Sequence, residues 1–297
     1  MPLLSIIIPT YNRPALLKTA IQSVLAQTND NWELIIIDDG SNPKANVVIK
    51  EFNDSRITYF YQENKGRSIA RNKGISLAQG KYIAFLDDDD VYDKNFCAAV
   101  SEEEEGEDVI VFAYKMKNMG ANDYVIYQPE ESNNFLKLFA TRTYAPSGFV
   151  IKRAAIGTSR FLKNAFLGED FQFFMSFCLN KKIKTVNHIS SIMRSHPNNT
   201  TNSKYSKFKK QVYPQLKENV IDLIGQNKRK IGITGEEFLA IRDSHLNSLL
   251  KGHANHDLSF TKNLIETIKK DYPDYKALTT LDLIVQRSKG IIKSMLS

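Results

Sequence analysis

Four consecutive aspartates, Asp87 to Asp90, follow directly on the apolar run Tyr82-Ile83-Ala84-Phe85-Leu86, and this junction restricts the fold more than any other feature. A short β-type run that stops on carboxylates puts them at the carboxyl end of a strand. In open α/β sheets, ligands bind along that edge. Carboxylates packed this closely repel one another and favour a cation, and hard divalent ions such as Mg²⁺ or Mn²⁺ take oxygen ligands. A solvated loop capping the next helix reads the same in isolation, so the neighbouring strand ends decide between the two.

Upstream, strand and helix signals alternate. Leu4-Ser5-Ile6-Ile7-Ile8-Pro9 is a nearly continuous apolar run, as in a parallel strand buried on both faces. Pro14 suits the first turn of a helix over 15–27. Glu33-Leu34-Ile35-Ile36-Ile37 predicts a second strand, ending on Asp38-Asp39-Gly40-Ser41. A short helix near 45–52 and a third strand over 57–61 follow. Gly66 opens a helix to about residue 78, which Gly80 stops before the strand ending at Asp87. Repeated β–α units at this spacing predict an α/β fold with a doubly wound, mostly parallel sheet flanked by helices. The acidic stretch 102–108 reads as the solvated end of a helix ahead of a strand over 109–114.

From about residue 207 the pattern is helical throughout. Thr234 and Glu237 make a capping box at the head of a helix, and 259–270 and 278–296 predict further helices. The polar, Asn/Ser/Thr-rich stretch 196–206 marks a boundary between a domain over 1–205 and a helical C-terminal region over 206–297. Charge divides at the same place. Residues 1–205 carry 24 basic and 23 acidic side chains, residues 206–297 carry 16 and 10, and the whole chain has a net charge of +7. A neutral front and a basic tail point to two regions with different jobs.

Composition excludes several classes. A nucleic-acid-binding protein would interleave Lys and Arg with exposed aromatics along one face, whereas here the motif-bearing part is neutral and the basic residues are scattered. Nucleic acid is therefore not an expected partner. No apolar stretch reaches the ~18–20 residues that span a bilayer, and Met1-Pro2-Leu3-Leu4 lacks the charged start of a signal peptide. Cys97 and Cys178 have neither metal nor redox spacing. A cytoplasmic protein is expected, with the sequons at Asn198 and Asn199 accidental. The mixed basic and apolar stretch Ile284-Val285-Gln286-Arg287-Ser288-Lys289-Gly290-Ile291-Ile292-Lys293 suits peripheral contact with the inner face of the plasma membrane. A helical cap or oligomer contact fits the same pattern.

Three motifs fall at successive strand ends: Pro9-Thr10-Tyr11-Asn12-Arg13, Asp38-Asp39-Gly40-Ser41 and Asp87-Asp88-Asp89-Asp90. On a parallel sheet they converge on one crevice. An aromatic ring, an acceptor carboxylate and a cation-binding group would meet there, which is what a nucleoside diphosphate needs.

With these motifs in this order, the chain resembles the family 2 glycosyltransferases of the Rossmann-like GT-A fold over roughly residues 1–200. The opening segment implies that Pro9, Thr10, Tyr11 and Arg13 lie at the nucleotide-sugar, with Thr10 and Tyr11 against the nucleobase. Asp39 matches the aspartate that reads the uracil edge. Gly66-Arg67-Ser68-Ile69-Ala70-Arg71-Asn72 is similar to the family's helix start, which puts Arg71 near the base or diphosphate. Phe85-Leu86-Asp87-Asp88-Asp89-Asp90 matches the D-x-D motif in its F-L-D-x-D-D form. This implies Asp87 on the ribose side, Asp89 on the metal, and Asp88 at the variable position beside the donor. Gly168-Glu169-Asp170 resembles the "ED" motif, so Glu169 and Asp170 are the candidate catalytic residues, Asp170 as general base. Arg194-Ser195-His196 resembles the segment that ends the catalytic domain, with His196 as a further metal ligand. Residue by residue, plainer readings stay open: packing for Tyr11, turn chemistry for Asp39, a surface cation for Arg71, and helix capping for Glu169 and Asp170.

The chain also departs from the family. Lys94 replaces a common proline, and Arg160-Phe161-Leu162-Lys163 stands where an acidic run often precedes the "ED" motif. The Q-x-x-R-W motif and membrane helices of the processive synthases are missing. The resemblance implies an inverting transferase, dependent on Mn²⁺ or Mg²⁺, that uses a nucleotide-sugar, with UDP expected. The acceptor would be a glycan hydroxyl, lipid-linked in one version, in bacterial surface polysaccharide biosynthesis. Residues of about 1–115 would bind the donor and about 116–205 the acceptor. Transfer to a protein is the alternative.

Overall fold

The computed structural model describes residues 1–103, 106–117, 123–129, 135–141, 144–163, 165, 167–194, 209–254 and 257–276. Two compact units divide the chain, Met1–His196 and Pro197–Ser297. The expected boundary stretch 196–206, His196, both sequons and the basic stretch 278–296, expected as a helix, lie outside the described residues.

In the first unit the apolar runs become strands as expected. Strand β1 (Leu4–Thr10) is buried at all seven positions. Helix α1 (Pro14–Leu25) starts on its proline and buries Leu17, Ala20, Ile21 and Val24, one stripe at helical spacing. Strand β2 (Trp32–Asp39) follows. Helix α2 (Asn46–Ile49) is shorter than its sequence suggests. Three β-branched residues in a row, Val47, Val48 and Ile49, restrict side-chain rotamers and favour helix poorly. Strand β3 (Ile57–Gln62), helix α3 (Arg67–Leu77) and strand β4 (Tyr82–Phe85) complete the repeated units.

These four strands pair in parallel in the order β3-β2-β1-β4. Their register carries Thr10 opposite Asp38, Asp38 opposite Tyr61, and Ile7 opposite Phe85. The three motif-bearing strand ends therefore lie along one edge.

Beyond β4 the sheet becomes mixed. Strands β5 (Val91–Tyr92), β6 (Val109–Lys117), β7 (Tyr124–Tyr127), β8 (Phe149–Lys152) and β9 (Ile183–Arg194) extend it in the order β4-β8-β6-β9-β5, with β7 paired to β6. Among the described residues of this half, β6 and β9 alone pair in parallel; β8 runs antiparallel to both β4 and β6. The parallel character of the fold thus belongs to its first four strands. A short return such as the β6–β7 link permits only antiparallel pairing, because parallel pairing needs a long crossover.

Helix α4 (Phe96–Glu102) ends in the acidic stretch, and α5 (Phe135–Thr141), α6 (Arg153–Ile156) and α7 (Glu169–Cys178) cover the mixed half. An aromatic cluster fixes α7. Phe85, the last residue of β4, meets Phe161, Phe173 and Phe174 edge-on at 5.4–6.4 Å. Phe161 stacks on Phe173, and Phe149 on Phe174, each at 3.9 Å. Each fully buried ring contributes about 1.5–3 kcal/mol. The cluster ties the head of α7 to the strand end that carries the aspartates.

The second unit is helical: Lys209–Leu216, a π-helical segment Lys217–Asp222, Leu223–Gln226, Lys228–Ile231, Gly235–Ala254 and Leu258–Asp271. Pro214 lies inside the first of these helices. It lacks the N–H for a regular bond, and a change of helical pitch follows it. The capping box forms as expected. The Thr234 amide donates to Glu237 Oε2 at 2.9 Å, and the Glu237 amide to Thr234 Oγ1 at 3.1 Å. Among the described residues no helix is long and apolar enough to cross a membrane.

Candidate active site

The loops after β1 and β2 are stapled together. Asp38 is fully buried and accepts from the amides of Ser41 and Ala45 and from the Tyr59 hydroxyl at 2.7–2.8 Å. Asn12, at φ 56°, donates its amide to Ser41 Oγ at 2.9 Å and accepts the Asn42 amide at 2.8 Å. Tyr11 is left 48% exposed at the sheet edge. Pro9 is buried within β1, opposite Ile37.

Asp39 organises the next loop. It accepts from Gln62 Nε2 at 2.7 Å and from the amides of Lys65 and Gly66 at 2.9 and 2.8 Å. A carboxylate offers about four acceptor directions, so these three donors leave little capacity for a further ligand.

Gly66 takes φ 90°, which turns the chain into α3. Arg67 and Arg71 follow at i and i+4, on one helix face. Arg71 is only 1% exposed. Its Nη2 donates to Asp87 Oδ1 at 2.6 Å, its Nη1 lies 4.0 Å from Glu169 Oε1, and its guanidinium sits over the Phe161 ring at 5.2 Å. Neither a surface position nor an open one describes this residue. Asn72 binds the backbone of Phe161 in both directions at 2.9 Å, holding that ring in place.

Helix α7, like α3, opens after a glycine of positive φ, here Gly168 at φ 71° in the left-handed conformation. Its first two residues part company. Glu169 is fully buried and ion-paired with Arg67. Asp170 is half-buried, and its Oδ1 accepts the Phe171 amide at 2.9 Å.

The four aspartates divide as well. Asp88 turns inward, accepting from Thr10 Oγ1 at 2.7 Å and Arg13 Nη1 at 3.2 Å. Asp89 shares that Arg13 nitrogen at 2.9 Å. Asp90, buried, accepts the Arg194 amide at 3.0 Å, while Arg194 Nε donates to the Asp89 carbonyl at 2.6 Å. Asp87, Asp89 and Asp90 each direct one oxygen to a common region, all within 4.8 Å of one another. The resemblance implies Asp89 and His196 as metal ligands; the geometry brings Asp90, the fourth aspartate of the F-L-D-x-D-D pattern, beside Asp89 as well. His196 is outside the described residues, two positions beyond the strand end that bonds Asp90.

Electrostatics sort these carboxyls further. Loss of solvent works to raise Asp87, but the guanidinia of Arg71, Arg67 and Arg13 outweigh it, so Asp87 titrates below the ordinary value. Burial pushes Asp88 up to about 6, against the Thr10 hydrogen bond and the Arg13 charge. Burial, then the charges of Asp87 and Asp89, drive Asp90 well above the usual carboxylate range despite Arg194. A buried carboxyl crowded by two others lacks positive charge. An all-oxygen donor set of this kind fits a hard divalent cation.

Comparison with known proteins agrees with the geometry. The Glycosyl transferase family 2 model matches residues 5–163. The Escherichia coli UDP-Glc:alpha-D-GlcNAc-diphosphoundecaprenol beta-1,3-glucosyltransferase WfgD is 30% identical over 222 residues, 70% of this chain and 83% of that one. The putative colanic acid biosynthesis glycosyl transferase WcaA of E. coli K12 is 38% identical over 167 residues, 54% of this chain and 56% of that one. Uncharacterized Rickettsia glycosyltransferases reach 49–50% identity, but the match spans only 13–15% of their length. The crystal structure of S. aureus TarS 1–349 in complex with UDP-GlcNAc superposes with a TM-score of 0.62 at 20% identity, covering 86% of this chain and 73% of that one. At that identity the likeness concerns the fold, and it is the GT-A arrangement expected from the motifs. With the family model spanning more than half of its residues and WfgD aligned over most of its length, this chain belongs to glycosyl transferase family 2 and is a glycosyltransferase.

Proposed function

We propose that the protein moves a sugar, with inversion, from a UDP-sugar to a hydroxyl of a lipid-linked glycan in bacterial surface polysaccharide biosynthesis. Support for donor and acceptor comes from the printed activity of WfgD, which moves glucose from UDP-Glc to a diphosphoundecaprenol-linked GlcNAc, from the colanic acid biosynthesis in the name of WcaA, and from UDP-GlcNAc in the TarS complex. The single observation that carries the chemistry is the arrangement around α7. A half-buried Asp170 lies in the first turn of a helix whose first residue, Glu169, is paired into the guanidinia flanking the aspartate cluster.

In this reading the acceptor oxygen attacks C1 of the donor sugar as the bond from C1 to the diphosphate oxygen breaks. Asp170 takes the acceptor's proton, a contribution of ~10²–10⁴ in rate for such a base. Asp87, Asp89 and Asp90, with His196 as a candidate fourth ligand, would hold Mn²⁺ or Mg²⁺. When bound, the ion supplies positive charge for the departing diphosphate. Arg13 and Thr10 hold Asp88 and so fix the loop. Tyr11, exposed at the edge, offers a face for the base. Asp39 acts there through the loop it organises, with at most one acceptor direction for the uracil edge. Residues of about 1–115 serve the donor, 116–205 the acceptor, and the basic region 206–297 an anionic membrane surface, where lipid-linked acceptors reside. Liposome flotation tests that last point: salt-sensitive binding to anionic vesicles is expected, and its absence removes membrane contact from the account.

The mechanism is tested by donor binding and turnover in two variants. Asp170→Asn keeps metal-dependent thermal stabilisation by a UDP-sugar and loses turnover ~10²–10⁴-fold. Asp89→Asn loses both. Normal donor binding by Asp89→Asn would refute the cation assignment.

A further inference from the structure

We infer that Glu169 is a positioning residue: its buried carboxylate draws off the positive charge of Arg67 and Arg71 and so sets how much of that charge reaches Asp87. This rests on the cation reading of Asp87, Asp89 and Asp90 proposed above.

Glu169 is fully buried in the first turn of α7, while Asp170 beside it is half-buried. Adjacent carboxylates held in different environments take different roles. Glu169 faces guanidinia from α3 and has no open path to an acceptor hydroxyl. A buried carboxylate persists only when paired, and its partners are Arg67 and Arg71. Arg71 stands between two carboxylates, bonded to Asp87 at 2.6 Å and 4.0 Å from Glu169 Oε1. Its Nε and Nη1 are buried with no hydrogen-bond partner, so one bond and the balance of charges on either side hold it. Both arginines act on Asp87. Without the Glu169 charge, the full attraction of two guanidinia falls on Asp87, which then becomes a poorer ligand for a cation. Without Arg67, Glu169 pulls Arg71 towards itself, and Asp87 becomes a better one. Opposite signs from two partners of one ion pair distinguish charge balance from mere structural support, where both losses would weaken the site.

The test is Mn²⁺ binding to the full chain, read by the free-ion electron paramagnetic resonance signal with and without UDP. Wild type, Glu169→Gln, Arg67→Gln and the double variant are compared, with circular dichroism to establish folding. Glu169→Gln should bind Mn²⁺ about tenfold more weakly, Arg67→Gln several-fold more tightly, and the double variant within about threefold of wild type. Should Glu169→Gln fail to fold, Arg67→Gln alone decides, and weaker or unchanged binding overturns the inference. Unchanged affinity in Glu169→Gln, or shifts of the same sign in both single variants, also overturns it. If the wild type takes up no Mn²⁺ with or without UDP, the underlying cation reading has failed and the inference falls with it.

Discussion

Each unit of the molecule holds a buried arginine among carboxylates, and the two are finished differently. In the helical unit Arg242 donates through all three nitrogens, to Asp274 twice at 2.9 Å and to Asp243 at 2.8 Å. Its partner Asp274 is half open to water, with 55% of the side chain exposed, so solvent carries any surplus charge. In the first unit Arg71 makes one hydrogen bond and leaves two nitrogens without one. Of the two carboxylates beside it, Glu169 is closed to solvent and Asp87 keeps 32% of its side chain exposed. A structural ion pair is satisfied within the protein and its water. The site arginine keeps unused donors, and the aspartate cluster next to its partner Asp87 holds a buried carboxyl crowded by two others, the condition a bound cation would correct.

The comparison breaks first at Arg71. Arg71→Met strands Asp87 and Glu169 together and should cost ~3–5 kcal/mol in urea unfolding, as removal of one partner from a buried pair does. A loss below about 1 kcal/mol would mean that the site is no more tightly coupled than the surface.

Asp90 sharpens the contrast because its sign is reversed. Asp90→Asn keeps an acceptor for the Arg194 amide and removes a buried carboxyl whose ionisation burial, Asp87 and Asp89 all disfavour. The metal-free protein should gain on the order of 1 kcal/mol, the exchange of function for stability common at active sites. Thermal melts in EDTA measure it, and a clear destabilisation would show that Asp90 is already compensated.

Thr234→Ala should cost about 1 kcal/mol by removing the capping box, with turnover unchanged; a change in turnover would tie the helical unit to catalysis. The smallest effect belongs to Asp274. The Arg242 hydrogen bond holds its carboxyl below the ordinary range, so its contribution is present at neutral pH and disappears as pH falls through the folded value. The stability gap between wild type and Asp274→Asn should therefore close in acid, which melts at pH 7 and pH 3 would register.

The strand ends were legible because each apolar run stops abruptly on polar residues, and period and length fix a buried parallel strand. The capping box was legible because both its partners lie within four residues. Long-range pairing was not. Arg71 meets Asp87 from the following strand and Glu169 from a helix near residue 170, and no local pattern announces that encounter. Asp39 reads as a ligand or a turn former, while its bonds to Lys65 and Gly66 depend on the register of β2 against β3. Phe149–Lys152 is an apolar run short enough to pair either way, and its insertion between β4 and β6, antiparallel to both, is where the parallel order of the first four strands ends.

The most direct measurement is calorimetric titration of Mn²⁺, in the presence of UDP, into wild type and Asp90→Asn. The account predicts one saturable site in the wild type and none in the variant, although the variant is the more stable protein without metal. Equal binding by both, or no uptake by the wild type, would contradict it.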